Sequence, residues 1–242
     1  MKIKWIKKSL TLDAGEKAIV LVSLFIAALV AANLLGNKIT VLGGIVVSVG
    51  IFAYPITFLI ANIFGEVQGP KLPRMLVIGG IVSIIAVLVF TSISIALPAA
   101  ARFTYNAEYF KVFSMTKRIM VGSLVAFFFA QGLNIHIFDY FKRKFKKQNP
   151  CIRYNAAVIV SQFIDTVIFY FIAFYHMTPK FTAAFIMTLV FPYWFMKIIF
   201  SIASTPLFYG GVRWFNKDMK TKLPPIAIPI PIIQPAPKGK KK

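Results

Sequence analysis

The stretch NAAVIVSQFIDTVIFYFIAFY, Asn155–Tyr175, decides the fold because its 21 residues contain a single acidic or basic side chain, Asp165. About 20 apolar residues in a helix span the hydrocarbon core of a bilayer. The run is therefore typical of a transmembrane helix. Since a charge near the bilayer centre is costly, Asp165 is expected to face the interior of a helix bundle and to mark a functional site.

The whole chain has the composition of a membrane protein. Of its 242 residues, 58% are hydrophobic and 14% are charged, and the mean hydropathy is +0.76, whereas a soluble domain has roughly 25% charged residues. Backbone polar groups in lipid must be satisfied within the chain, which favours helices. We therefore predict an all-α membrane protein with six transmembrane helices in one bundle. The predicted spans are approximately Ala18–Gly36, Ile45–Phe64, Met75–Leu97, Ile119–Tyr140, Asn155–Tyr175 and Phe181–Tyr209.

The basic residues are divided unevenly between the two sides that these spans create. The side with both termini has 21 Lys and Arg, the other side has six, and Lys197 lies within the sixth span. Cytoplasmic loops carry the excess of Lys and Arg, so both termini are expected in the cytoplasm. The cations flank apolar spans, where anionic lipid favours them. The net charge of +21 thus indicates membrane lipid as a partner and no nucleic acid.

The spans divide the chain into three parts. Residues 1–17 form a basic cytoplasmic N-terminus, residues 18–209 the transmembrane domain, and residues 210–242 a cytoplasmic tail rich in Pro and Lys that is expected to be disordered. Cys151 is the one cysteine, so the chain has no disulfide framework. Gly43, Gly44 and Gly50 precede the second helix and indicate an irregular backbone there.

Two spans carry the same polar pattern. Gln162 precedes Asp165 by three residues, and Gln131 precedes Asn134 by three residues in the span before. Residues three apart share one face of a helix, so antiparallel neighbours could present all four side chains to one polar chamber. The alternative is that the amides and the acid hydrogen-bond between helices as packing contacts.

Three more polar residues are candidates for the site. Lys197 needs a partner within its span, and Asp165 or a helix C-terminus would serve. Glu66 ends the second span and either lines the cytoplasmic mouth or is solvated there. Asn33 lies where the opposite mouth is expected. The chain contains neither the sequence motifs of hydrolases nor a Walker sequence. We therefore expect no enzyme activity, no cofactor and no metal site.

The paired Gln-x-x-Asp/Asn-x-x-Ile-Phe motifs resemble those of the queuosine precursor transporter family, also called the vitamin uptake transporter family. The segments ANLLGNKI (Ala32–Ile39), YPITFLIANIFGEVQG (Tyr54–Gly69) and TPLFY (Thr205–Tyr209) add to the resemblance. It implies a multi-pass transporter of the bacterial inner membrane. The implied substrates are 7-deazaguanines used for tRNA modification: 7-cyano-7-deazaguanine, its 7-aminomethyl derivative, or queuine.

Two acids of the family pattern are replaced by amides in this chain. The family usually has Asp in both repeats, whereas the first repeat here has Asn134, and Asn62 stands where the second-span motif has Asp. Glu66 is retained from that motif. Together, the polar pattern and the resemblance give these candidate substrate-binding residues: Asp165, Gln162, Asn134, Gln131, Asn62, Glu66, Asn33 and Lys197.

A guanine-like ligand suits these side chains, because a carboxylate accepts two neighbouring N–H groups and an amide donates to a carbonyl. The alternative function is a substrate-binding subunit of an energy-coupling-factor importer. In that case Ala27, Ala28, Ala31 and Ala32 of the first helix could dock a partner. The sequence leaves open whether the protein forms a homo-oligomer or needs an external ATPase module.

Overall fold

The computed structural model describes residues 12–144, 150–176, 179 and 181–216. Six helical segments in these ranges are long and apolar enough to cross a membrane, which confirms the predicted number of spans. The helices are α1 (Ala14–Leu35), α2 (Tyr54–Gln68), α3 (Lys71–Ala96), α4 (Asn106–Lys144), α5 (Pro150–Phe174) and α6 (Ala183–Asn216). A 3₁₀ turn, Val49–Phe52, leads into α2.

Helix α1 begins with a capping box at the start of the described chain. The Asp13 side chain accepts a hydrogen bond from the backbone N–H of Glu16, and the Glu16 carboxylate accepts one from the N–H of Asp13, both at 2.8 Å. These contacts satisfy two N–H groups that a helix start leaves without partners. Two of the seven acidic residues thus have a structural role.

A β-hairpin between α1 and α2 departs from the all-helical prediction. Strands β1 (Ile39–Leu42) and β2 (Ile45–Ser48) pair antiparallel. Gly43 and Gly44 join them with φ values of 57° and 81°, as a two-residue hairpin turn requires. The predicted irregular entry is therefore a hairpin followed by a 3₁₀ turn. A two-stranded ladder pairs only the facing edges of its strands, so the backbone groups on the outer edges need other protein groups or water as partners.

Helix α2 lies at the centre of the bundle. In the most apolar part of its span 72% of the residues are buried, whereas in the span formed by α3 the share is 28%. Aromatic side chains from several helices pack in the core around it, among them Phe58, Phe127 and Phe208. Helix α3 instead exposes apolar residues such as Ile78 and Phe90, as expected where a helix faces lipid. Polar side chains on α2 are consequently enclosed by protein.

Of the six helices, α4 and α6 extend furthest beyond their predicted limits. Helix α4 begins at Asn106 rather than Ile119, so Lys111, Lys117 and Arg118, predicted in a loop, lie in the helix. Helix α6 runs through Pro192 and Pro206 to Asn216 and includes the first residues of the predicted tail. The rest of that tail, residues 217–242, and residues 1–11 of the predicted N-terminus lie outside the described residues.

The small residues of α1 are partly used within the chain. Ala28 is buried in the bundle, and Ala32 packs against the main core, whereas Ala27 is exposed. The Ala28–Ala32 pair is therefore already covered by this chain and does not present a free docking surface for a partner.

Gly80 permits the close approach of α3 to α1 and α4, and this predicts a stability difference between two adjacent glycines. A Cβ at Gly80 would lie 2.8 Å from Leu29 Cδ2 and 3.0 Å from Phe127 Cζ, whereas one at Gly79 would meet nothing within 4 Å. We expect Gly80→Leu to lower the free energy of unfolding by about 1–3 kcal/mol through overpacking. Gly79→Leu is the matched control, and thermal unfolding of both variants in detergent is the measurement. Equal melting temperatures would contradict this packing.

Candidate binding site in the bundle interior

Asp165 forms a buried ion pair with Lys197. The two residues are 3% and 4% exposed, and Lys197 Nζ lies 2.7 Å from Asp165 Oδ2. Helix α5 supplies the carboxylate and α6 the ammonium group. Both charged groups are buried, so each compensates the charge of the other and lowers the cost of burying it. Of the two partners expected for Lys197, the structure thus shows Asp165.

A tyrosine completes the cluster. Tyr54, at the first position of α2, donates a hydrogen bond from its hydroxyl group to Asp165 Oδ1 at 2.6 Å. Lys197 Nζ lies 5.1 Å from the ring centroids of both Tyr54 and Tyr193, within the range of a cation–π interaction. A single carboxylate therefore ties α2 to α5 and α6, and two aromatic rings enclose the cation that neutralises it.

The cluster borders a cavity of about 50 Å³. Asn33 of α1 also lines it: its Nδ2 donates to the Leu29 carbonyl at 2.9 Å, while its Oδ1 has no hydrogen-bond partner in the described parts of the chain. Asp165 and Lys197 are the charged residues among the described residues of the wall. The lining residues are Ala32, Asn33, Gly36, Ser48, Gly50, Tyr54, Ile119, Ser123, Asp165, Phe169, Tyr193 and Lys197.

Gln131 and Asn134 of α4 face α2 and do not line this cavity. Asn134 and Asn62 exchange two hydrogen bonds, with Nδ2–Oδ1 distances of 3.2 and 3.4 Å. Gln131 Nε2 donates to Thr57 Oγ1 at 3.4 Å. Asn62 and Asn134, the two positions at which this chain has amides in place of the expected acids, are thus in contact with each other. The two amides satisfy each other without a buried charge.

Gln162 is 1% exposed and is likewise absent from the cavity wall. Its Oε1 has no hydrogen-bond partner within the described ranges, and the same holds for Oε1 of Gln131. A buried acceptor without a donor costs about 1–3 kcal/mol. The structure therefore keeps two unpaired acceptors beside the charged cluster rather than the single chamber of four polar side chains that the repeat predicts.

A second ion pair lies at the other end of α2. Arg153 Nη2 is 2.9 Å from Glu66 Oε1, and Lys142 Nζ donates to the carbonyl oxygens of Gly65, at 2.8 Å, and of Glu66. Cations at the C-terminal end of a helix are favoured by its dipole. Glu66 follows Tyr54 by 12 residues in the helix, which separates the two clusters by about 18 Å along the helix axis.

Tyr54, Tyr193 and Arg153 were not among the predicted site residues. Tyr54 and Tyr193 each adjoin a proline, Pro55 and Pro192, in an apolar run. Their hydroxyl groups were the available signal, since a buried tyrosine usually needs a hydrogen-bond partner. Arg153 was counted as a loop cation, although it is buried on α5.

The arrangement is that of a membrane transport protein: a helix bundle that keeps charged and polar side chains around an interior cavity. Residues 48–211 match the profile of the family described as "Putative vitamin uptake transporter", so the chain belongs to that family.

A named relative is consistent with this family. A protein of Bacillus subtilis (strain 168) named "Probable queuosine precursor transporter" is 27% identical over 198 residues, which cover 80% of this chain and 84% of that protein. No solved structure gives a significant match. The resemblance read from the motifs is confirmed, and the chain is a transporter and not an enzyme.

The Glu66–Arg153 contact predicts a non-additive effect of mutations on stability. We expect Arg153→Met to lower the free energy of unfolding by about 1.5–3 kcal/mol, because it leaves a partly buried carboxylate without its cation. The double variant Glu66→Gln/Arg153→Met should recover most of that loss. Chemical unfolding in detergent of the wild type, both single variants and the double variant measures the difference, and strictly additive losses would contradict a direct interaction.

Proposed function

We propose that this protein imports queuosine precursors across the inner membrane of a bacterium. The candidates are 7-cyano-7-deazaguanine, its 7-aminomethyl derivative and queuine, all taken up for the modification of tRNA. The name of the Bacillus subtilis relative supports this substrate class, as does membership of a family of vitamin uptake transporters. The site's donors and acceptors supply the physical argument.

The observation that carries the proposal is the buried cluster around Asp165 at the cavity. Tyr54 and Lys197 each occupy one lone pair on the two carboxylate oxygens, so each oxygen can still accept a second hydrogen bond. A 7-deazaguanine offers adjacent N1–H and 2-amino donors to such acceptors, and the unpaired Asn33 Oδ1 is a further one. Lys197 has three N–H donors and can give one to the O6 carbonyl.

Binding requires the cavity to widen. Its volume is about 50 Å³, whereas a cavity that holds benzene has about 150 Å³. To bind there, a base would have to insert between Lys197 and Asp165 or separate these two side chains. Phe169 and Tyr193 in the wall offer faces on which a planar ring can stack.

The positive-inside distribution gives this site an orientation. With both termini in the cytoplasm, α1 and α5 run outward and α2 and α6 inward. The cavity around Asp165 then lies towards the outer side, and the Glu66–Arg153 pair towards the cytoplasm. Thr57 and the Asn62–Asn134 pair lie between them along α2. These side chains provide successive hydrogen-bonding partners for a ligand moving inward.

The alternative is a substrate-binding subunit that works with an external ATPase. The covered Ala28–Ala32 pair removes part of the small-residue surface on which that alternative relied. A stand-alone transporter, alone or as a homo-oligomer, is the version we propose.

Complementation tests the function. In cells that can neither make nor import the precursors, the wild-type chain should restore queuosine in tRNA when a precursor is supplied, as measured by mass spectrometry of tRNA nucleosides. Asp165→Asn should lower restoration at limiting precursor by about tenfold or more, because a charge-assisted acceptor is lost. The matched control is Glu108→Gln, a carboxylate-to-amide change at an exposed position in the first turn of α4.

Three results would overturn parts of this account. Unchanged restoration by Asp165→Asn would remove Asp165 from the binding site. No restoration by well-expressed wild type, combined with ligand-induced thermal stabilisation, would favour the partner-dependent subunit. Absence of both restoration and stabilisation would refute the substrate class.

The orientation has its own test. A green fluorescent protein fused after Lys242 should fluoresce and alkaline phosphatase fused there should be inactive, because the C-terminus is expected in the cytoplasm. A fusion of the two reporters after Ala99, between α3 and α4, should give the opposite pattern. Phosphatase activity from the C-terminal fusion would reverse the proposed direction of the path.

A further inference from the structure

The charges in the cavity wall cancel. Asp165 and Lys197 contribute one negative and one positive charge, and no other acidic or basic side chain lines the cavity within the described ranges. Both groups are almost fully buried, so solvent screens them little. A neutral ligand leaves the net charge of this cavity at zero. A cationic ligand adds an uncompensated positive charge, which burial penalises strongly.

The protein's own cation also occupies the places that a ligand cation would use. Lys197 Nζ is 2.7 Å from the Asp165 carboxylate and 5.1 Å from the ring centroids of Tyr54 and Tyr193. A carboxylate and aromatic faces are the groups that bind an ammonium ion. A second ammonium would have to displace Lys197 or lie beside a like charge.

The same lysine favours ligands that accept hydrogen bonds. One of its three N–H groups is used by Asp165, and the other two have no hydrogen-bond acceptor among the described residues. A carbonyl oxygen or a nitrile nitrogen can take one of these donors, whereas an ammonium group cannot.

We propose that Lys197 makes the cavity select neutral 7-deazaguanines and disfavour those that carry a cationic amine. The inference rests on the proposed function and narrows it. Of the candidate precursors, 7-cyano-7-deazaguanine is neutral, while the aminomethyl compound and queuine carry a basic amine. Lys197 is thus a specificity-determining residue, because its ammonium group occupies the position that a ligand ammonium would need.

Three ligands that differ at the 7-substituent test the proposal on the full chain in lipid nanodiscs. They are the 7-cyano compound, the 7-aminomethyl compound and a 7-hydroxymethyl compound, which matches the amine in size but is neutral. We expect the aminomethyl ligand to bind at least about tenfold more weakly than the hydroxymethyl ligand by calorimetry. Because these two have the same size, the wild-type protein alone distinguishes charge from shape.

Variants of the ion pair test the cause. Lys197→Met leaves Asp165 without a cation, so the preference should reverse and the aminomethyl ligand should bind more tightly than its hydroxymethyl counterpart. The double variant Asp165→Asn/Lys197→Met restores zero net charge and should again favour the neutral ligands. Should Lys197→Met fail to fold, the comparison of the aminomethyl and hydroxymethyl ligands on wild type still tests whether the cavity selects neutral ligands.

The possible outcomes separate the two proposals. Equal or tighter binding of the aminomethyl ligand to wild type would overturn the selection for neutral ligands and leave the proposed function standing. A retained preference for the neutral ligand in folded Lys197→Met would overturn the role of Lys197. Wild type that binds neither these three ligands nor queuine would refute the proposed function itself.

Discussion

The buried contact between Asp165 and Lys197 is the interaction on which the interior of this bundle depends. A carboxylate at this depth is tolerated only with a partner that compensates its charge, and Lys197 lies 2.7 Å away. The hydroxyl group of Tyr54 satisfies the second carboxylate oxygen. Three helices therefore meet at one side chain, which positions the cavity wall and also limits which ligand charge the cavity can accept.

The rest of the polar interior is organised along α2. This helix is enclosed by the bundle, so each of its polar side chains needs a partner on another helix. Tyr54 contacts α5, Asn62 contacts α4, and Glu66 contacts Arg153 of α5. Charged pairs lie near the two ends of the helix, and an amide pair lies between them.

The duplicated Gln-x-x-Asp/Asn pattern shows what can be predicted from sequence and what cannot. Its three-residue spacing, together with the cost of burying charge, correctly predicts that Gln131, Asn134, Gln162 and Asp165 all point inward. The spacing does not predict the partners, because these depend on how helices distant in sequence pack. Tyr54 and Asp165 are 111 positions apart. The two copies consequently lie in different environments, one neutral against α2 and the other charged beside the cavity.

The hairpin illustrates a different limit. Hydropathy favours helix wherever apolar residues are continuous, and it does not detect a hairpin of two four-residue strands at the start of a span. Gly43 and Gly44 were the local signal, since a tight hairpin turn requires positive φ values. The hairpin matters for the site because Ser48 and the adjoining Gly50 form part of the cavity wall.

A crystal structure of the protein bound to a neutral 7-deazaguanine would test the central claim most directly. The account predicts the base in the cavity between α1, α2, α4, α5 and α6, with its N1–H and 2-amino edge within hydrogen-bonding distance of Asp165 and its O6 near Lys197. A base bound instead between Asn62 and Asn134, with the Asp165–Lys197 contact unchanged, would contradict it.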